Sequence, residues 1–309
     1  MILQSCKEES LQNSTNEGAS WLAQQGGTTD QLSSVYFIDV NTGWVASTFG
    51  TMLKTTNSGT NWTVQLSLSG SYSLHCIDFA DLNTGWTAGQ YGTILKTTNS
   101  GVSWVERSSG TSGSIFSIDF VDVNTGWAVG PEGLLMKTTN GGAEWLDLGS
   151  ISANMSSVHF NDVSTGWAVG GSFGLGYILK TTNGGTNWMS RTSGTTNHFF
   201  SVCFVDANTG WTVGRPSTIL RTTNGGTNWM TQYSSDVGAL YSVRFIDPNT
   251  GWAVGELGII LKTTNSGTDW MVQSSGTYDW LYSVYFVDAN TGWTVGHPGT
   301  ILKTTTGGQ

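Results

Sequence analysis

Apolar residues run along this chain in short alternating or continuous stretches, divided by clusters of Asn, Asp, Thr, Ser and Gly. The segment 240–275 shows the scheme. LYSVRFID (240–247) alternates, PNTG (248–251) turns, WAVG (252–255) is apolar, ELG (256–258) turns, IILKTT (259–264) is apolar, NSGTD (265–269) turns, and WMVQSS (270–275) closes the segment. Alternation with a period of two sends successive side chains to opposite faces of a strand, and the Asn/Gly clusters are turn formers. The segment therefore predicts four short strands. Four strands of about five or six residues, joined by short turns, occupy roughly 40 residues.

That length is also the period of the chain. The string TGW places tryptophan at Trp44, Trp86, Trp127, Trp167, Trp211, Trp252 and Trp293, at spacings of 42, 41, 40, 44, 41 and 41. A second string, TTNGGTNW or a near variant, ends in the same phase at Trp62, Trp104, Trp145, Trp188, Trp229 and Trp270. The seventh copy is split between KTTTGGQ (303–309) and STNEGASW, ending at Trp21. A four-stranded antiparallel meander repeated seven times predicts an all-β, seven-bladed propeller. Residues 14–25 then supply the outer strand of the blade whose inner strands come from 281–305, which leaves no open sheet edge at a gap in the ring. The division is a flexible tail at 1–13 and a single domain at 14–309. The Gly-His and Trp-Asp signatures of WD repeats are absent.

The recurring polar residues read as architecture. Asn57, Asn99, Asn140, Asn183, Asn224 and Asn265 sit where a side-chain oxygen can accept backbone N–H groups one or two residues on, with glycine supplying positive φ and the tryptophan starting the outer strand. Asp39, Asp81, Asp122, Asp162, Asp206, Asp247 and Asp288 precede the turn between the first two strands. Catalysis needs one constellation rather than seven, so both sets are turn staples. Lys54, Lys96, Lys137, Lys180, Arg221, Lys262 and Lys303 fill one slot per repeat, and their charges balance those aspartates.

Composition narrows the function classes. Forty-two glycines in 309 residues is about twice the usual share and opposes helices. The net charge of −9 disfavours nucleic acid, and no apolar run approaches the ~20 residues of a membrane helix. Three cysteines cannot form a disulfide framework for this length, and Cys76 and Cys203 are expected as buried thiols. No HExxH, GxSxG or paired CxxC is present, and His75, His159, His198 and His297 come from separate blades, so neither a metal nor a cofactor is expected.

The units NTGWAVG and ILKTTNGGTNW resemble repeats of the photosystem II stability/assembly factor family over residues 14–308, and TNGGTNW is similar to the Asp-box of sialidases with Asn for Asp. The resemblance implies a seven-bladed propeller. It also implies that a basic patch binds the tail of a reaction-centre subunit, yet only Arg107, Arg191, Arg215 and Arg244 lie outside the repeat slots in the propeller.

Function should sit where the repeats differ. If the Asn boxes join strands three and four, the blade-to-blade connections share the opposite rim with the turns between strands two and three. Ligands bind the connecting rim in sialidases. There the sequence places His75, Phe116, His198, Phe200, Tyr241, Trp280 and Tyr282, with Tyr91, Arg215, Glu256 and His297 from the turns. Aromatic platforms with scattered polar groups suit an extended peptide or a glycan. The leading expectation is a non-enzymatic binding or assembly scaffold for a protein, peptide or glycan, centred on Trp280. One alternative is a glycoside hydrolase using Asp78 and Asp119, which occupy equivalent inner-strand positions in neighbouring blades, with Arg244 as the ion partner of one; the other is a structural part of a surface assembly. A polar channel plug is the preferred reading of that carboxylate pair. Sialidase chemistry needs three convergent arginines, which the four here do not supply. Leu3-Gln4-Ser5-Cys6 partly resembles a lipoprotein cleavage box, which makes Cys6 a candidate lipid anchor and points to an extracytoplasmic protein.

Overall fold

A computed structural model describes residues 20–309 except 69–71, 150, 152, 173 and 237, so the proposed tail and Cys6 lie outside the described residues. The chain forms seven four-stranded antiparallel sheets, six of them in simple sequence order from inner to outer strand. The inner strands of blades 1 to 7 are Leu32–Phe37, Leu74–Phe79, Ser117–Phe120, Met155–Phe160, His198–Phe204, Leu240–Phe245 and Trp280–Phe286. The seventh sheet is completed by Leu22–Ala23, with Leu22 opposite Lys303 and Ala23 opposite Leu302. The ring closes as the split repeat predicts.

Tryptophan and phenylalanine hold the blades together. Each TGW tryptophan stacks on the inner-strand phenylalanine of the following blade: Trp44 on Phe79 at 4.0 Å, Trp86 on Phe120 at 3.5 Å, and so on to Trp293 on Phe37 at 3.5 Å. All seven are fully buried. The box tryptophans meet the same phenylalanines edge-on within their own blades, as in Phe37–Trp62 at 5.9 Å, and Trp21 does so against Phe286 at 5.7 Å. Phenylalanine is thus sandwiched between two indoles. The glycine of TGW has a steric reason, because it lies opposite that phenylalanine and a Cβ on Gly126 would fall 2.5 Å from the Phe120 ring.

The boxes differ from expectation in detail. Asn57 Oδ1 accepts the N–H of Asn61, four residues on, and the hydroxyl of Thr55, whose Oγ1 in turn accepts the N–H of Gly59. The staple therefore spans the whole box rather than one or two residues. The tryptophan ends the box and precedes the outer strand instead of starting it. In the sixth blade that strand is only Met271–Gln273, because Trp270 is turned inward onto Phe245. The Asp turns behave as expected, with Asp39 Oδ1 accepting the N–H groups of Asn41 and Thr42 at 2.7 Å each.

The slot lysines also reach forward. Lys96 Nζ lies 4.9 Å from the Trp86 ring centroid, and both Lys96 Nζ and Trp86 Nε1 donate to Gly141 O in the next blade's box. Box and Asp turn share one rim, joined by bonds such as Gly141 N–H to Asn124 O. The opposite rim carries the connections and the turns between strands two and three.

Candidate functional site on the connecting rim

Six of the inner strands carry a one-residue register shift near their start, for instance between Leu240 and Ser242 in blade 6. An extra residue in a ladder re-aims a side chain. Counted from the buried apolar residue before it, this slot holds Ser33, His75, Phe116, Ser156, Phe200, Tyr241 and Tyr282. Five of the expected site residues therefore occupy one repeat position. The sequence carried that signal, since each follows Leu32, Leu74, Ile115, Met155, Phe199, Leu240 or Leu281.

The rings form a continuous arc across blades 5 to 7. His198 stacks on Phe200 at 4.6 Å, Phe200 meets Tyr241 at 5.3 Å, and Tyr241 meets Tyr282 at 5.1 Å and Trp280 at 6.2 Å. Trp280 is 42% exposed and lies opposite His297 in the ladder of blade 7. Behind the arc, buried Glu256 accepts hydrogen bonds on Oε1 from Tyr241 OH and Arg215 Nη2, each at 2.8 Å. Burial and the neighbouring Glu256 push the Tyr241 phenol well up, and burial pushes the His198 imidazole down. Eight of the eleven expected residues thus lie in or beside one feature.

The remaining three stand apart. His75 and Phe116 form their own pair at 5.5 Å on blades 2 and 3, and Tyr91 meets Tyr72 at 6.0 Å. Glu256 also lines a cleft of about 620 Å³ over blade 6, with Leu257, Ile259, Val272 and Tyr278 among its walls. No single motif marks this cleft along the sequence, and its wall joins strands three and four to the following connection.

Closer to the Asp-turn rim, the position before each inner phenylalanine also reaches to the next blade. Tyr36 OH donates to Phe79 O, Asp78 Oδ2 accepts the N–H of Phe120, and Asp119 Oδ2 accepts the N–H of Phe160. Burial raises Asp78 to about 7, with Asp119 adding to the rise, and raises Asp119 to about 7 as well. Arg244 forms no direct ion pair with either: its guanidinium lies 4.5 Å over the Tyr285 ring, neither carboxylate is within 4.0 Å of it, and its charge lowers both only from a distance. Tyr285 takes it because each such side chain faces the following blade, and for Arg244 that blade is the seventh. Each aspartate has one oxygen committed to a backbone N–H, as befits a channel plug.

The basic patch does not assemble. Arg215 is neutralised by Glu256, Arg244 is inside, and Arg107 and Arg191 lie on the outer strands of blades 2 and 4. Among the described residues no cluster of three or more His, Cys, Asp or Glu side chains could hold a metal ion, and Cys76 and Cys203 are unpaired. No described helix is long and apolar enough to cross a membrane.

The family profile described as photosynthesis system II assembly factor YCF48 matches residues 13–110, 146–234 and 234–309. Among solved structures, "YCF48 bound to D1 peptide" is 22% identical with a TM-score of 0.78, covering 94% of this chain and 98% of that one. YCF48 from Cyanidioschyzon merolae is 20% identical with a TM-score of 0.76, covering 93% and 99%. A GH74 xyloglucanase from Xanthomonas campestris is 12% identical with a TM-score of 0.72, covering 93% of this chain but 53% of its own. These likenesses concern the fold. No curated protein matches the sequence.

Proposed function

Because the chain belongs to the photosynthesis system II assembly factor YCF48 family, we propose that it is a non-enzymatic scaffold whose connecting rim binds an extended peptide segment of a partner protein. The observation that carries this reading is the unbroken arc from His198 to Trp280, built at positions the blade architecture leaves free. Planar side chains bury much contact area at a small entropy cost, which suits them to a peptide backbone and its side chains. A related structure carrying a D1 peptide supports peptide rather than sugar as the class. Against hydrolysis stand Asp78 and Asp119, each tied to the next blade.

The test is retention on a peptide array and a glycan array by the wild type, Trp280→Ala and Tyr241→Ala. Peptides retained by the wild type should lose about 2 kcal/mol or more of binding in each variant, as for interface hot spots. Retention that both variants keep in full, or retention of glycans alone, would count against the proposal.

A further inference from the structure

The charges around the arc say which peptides it takes. Among the described residues, the turns and connections of this rim carry five carboxylates, Asp30, Glu132, Asp236, Glu256 and Asp279, and no lysine or arginine; Arg215 ends a second strand beside the arc, while Arg107 and Arg191 end outer strands of blades 2 and 4. Arg215 and Glu256 cancel as a pair, and burial holds His75 and His198 toward the neutral form. Asp236 is exposed in the connection leading to Tyr241, and Asp279 immediately precedes Trp280.

We infer that the arc of blades 5 to 7 selects a basic segment, with a lysine or arginine side chain laid on the Phe200, Tyr241, Tyr282 and Trp280 rings and neighbouring basic residues facing Asp236 and Asp279. This rests on the peptide-binding reading above. Two features of the site favour a cation. A positive charge is attracted to the face of an aromatic ring, and rings inclined at 41° and 72° to one another, as in Tyr241–Tyr282 and Trp280–Tyr282, offer it several faces. Tyr241 also donates its O–H hydrogen bond to the Glu256 carboxylate, which leaves its ring richer in electrons. The protein makes the same contact internally, with the slot lysines over tryptophans and Arg244 over Tyr285. An acidic tail would meet the opposite field, since among the described residues these turns and connections hold no lysine or arginine and the arginine beside the arc, Arg215, is paired with Glu256.

Two fluorescent peptides of equal length and aromatic content, one bearing lysines where the other bears glutamates, separate the possibilities by anisotropy titration. The lysine peptide should bind at least about tenfold more tightly, and the preference should shrink with added salt as screening sets in. The Asp236→Asn/Asp279→Asn double variant should lose most of the preference while keeping its melting midpoint. Equal affinities, tighter binding of the glutamate peptide, or no binding of the lysine peptide would overturn the inference. If the glutamate peptide won and Tyr241→Ala still abolished its binding, the peptide-binding reading would stand and only the charge preference would fall. Binding of both peptides that ignored Tyr241→Ala would remove the arc itself.

Discussion

At Asp78 a carboxylate taken largely out of water is only partly compensated, by the backbone N–H groups of Phe120 and Phe79 and by the charge of Arg244, and it stands near a second carboxylate in the same condition. Burial disfavours the charged form, so the folded protein holds a proton here up to about pH 7. The unfolded chain gives it up near pH 4. Between those values the folded state binds more protons, so stability falls as pH rises from about 4 to about 7 and stays reduced above. Asp78→Asn keeps an oxygen for the Phe120 N–H and removes the charge. Thermal melts should therefore show the variant gaining on the wild type at pH 8 and gaining nothing at pH 4; a deficit at pH 8 would mean the carboxylate is compensated by something else. Single residues were the least legible level of the sequence. Arg244 could be seen to need a partner, but that its partner is the Tyr285 face depends on every such side chain facing the following blade. The reach of Asn57 to the Asn61 N–H likewise depends on the box geometry.

Within a blade, strand and turn order followed directly from alternation and Asn/Gly punctuation; in the sixth blade the observed inner and third strands lie inside the expected runs, and the second begins one residue early, at the TGW glycine. Every outer strand starts after the box tryptophan, which serves the interior, and those of blades 2, 3, 4 and 6 are only two or three residues long; an apolar run does not reveal which of its members turn inward. The TGW glycine shows the constraint most clearly. At Gly126 a methyl group would meet the Phe120 ring at 2.5 Å, and that ring is already stacked on Trp86. Gly126→Ala should cost about 1–3 kcal/mol through overpacking, measured by urea denaturation. Trp280→Ala, on a half-exposed ring whose loss leaves no enclosed cavity, should cost about 1–2 kcal/mol in the same assay, well below a fully buried tryptophan. A silent Gly126→Ala would show that the phenylalanine has room to move.

For the whole molecule, blade number and closure were legible because a split repeat has only one partner available. The functional rim was legible only as a set of irregular positions: seven repeats identify what the fold requires, and what differs between them remains a mixture of function and packing. Sequence alone placed His75, Phe116 and Tyr91 with the rest, since all occupy the rim, whereas the structure sets them on blades 2 and 3. Closure has a measurable weight. Trp21 is fully buried and meets Phe286 as the other box tryptophans meet theirs. Trp21→Ala should lose about 3–5 kcal/mol in denaturant titration, more than Trp62→Ala, whose indole is only partly buried. A loss under about 1 kcal/mol would mean that the ring holds without its last strand.

The seventh box is made from two separate pieces of chain, yet Thr304 Oγ1 accepts the N–H of Gly308 at 2.9 Å, Gly307 O accepts Trp252 Nε1 at 3.1 Å, and Trp21 takes the usual place beneath. Residues 304–308 and Trp21, far apart along the chain, are brought to this box by hydrogen bonds and an indole contact, where each of the other six boxes is one continuous stretch. A protease that nicked one of those six boxes between its glycines and its tryptophan would leave a particle whose fragments stay together, each box being assembled already to do without the bond that was cut.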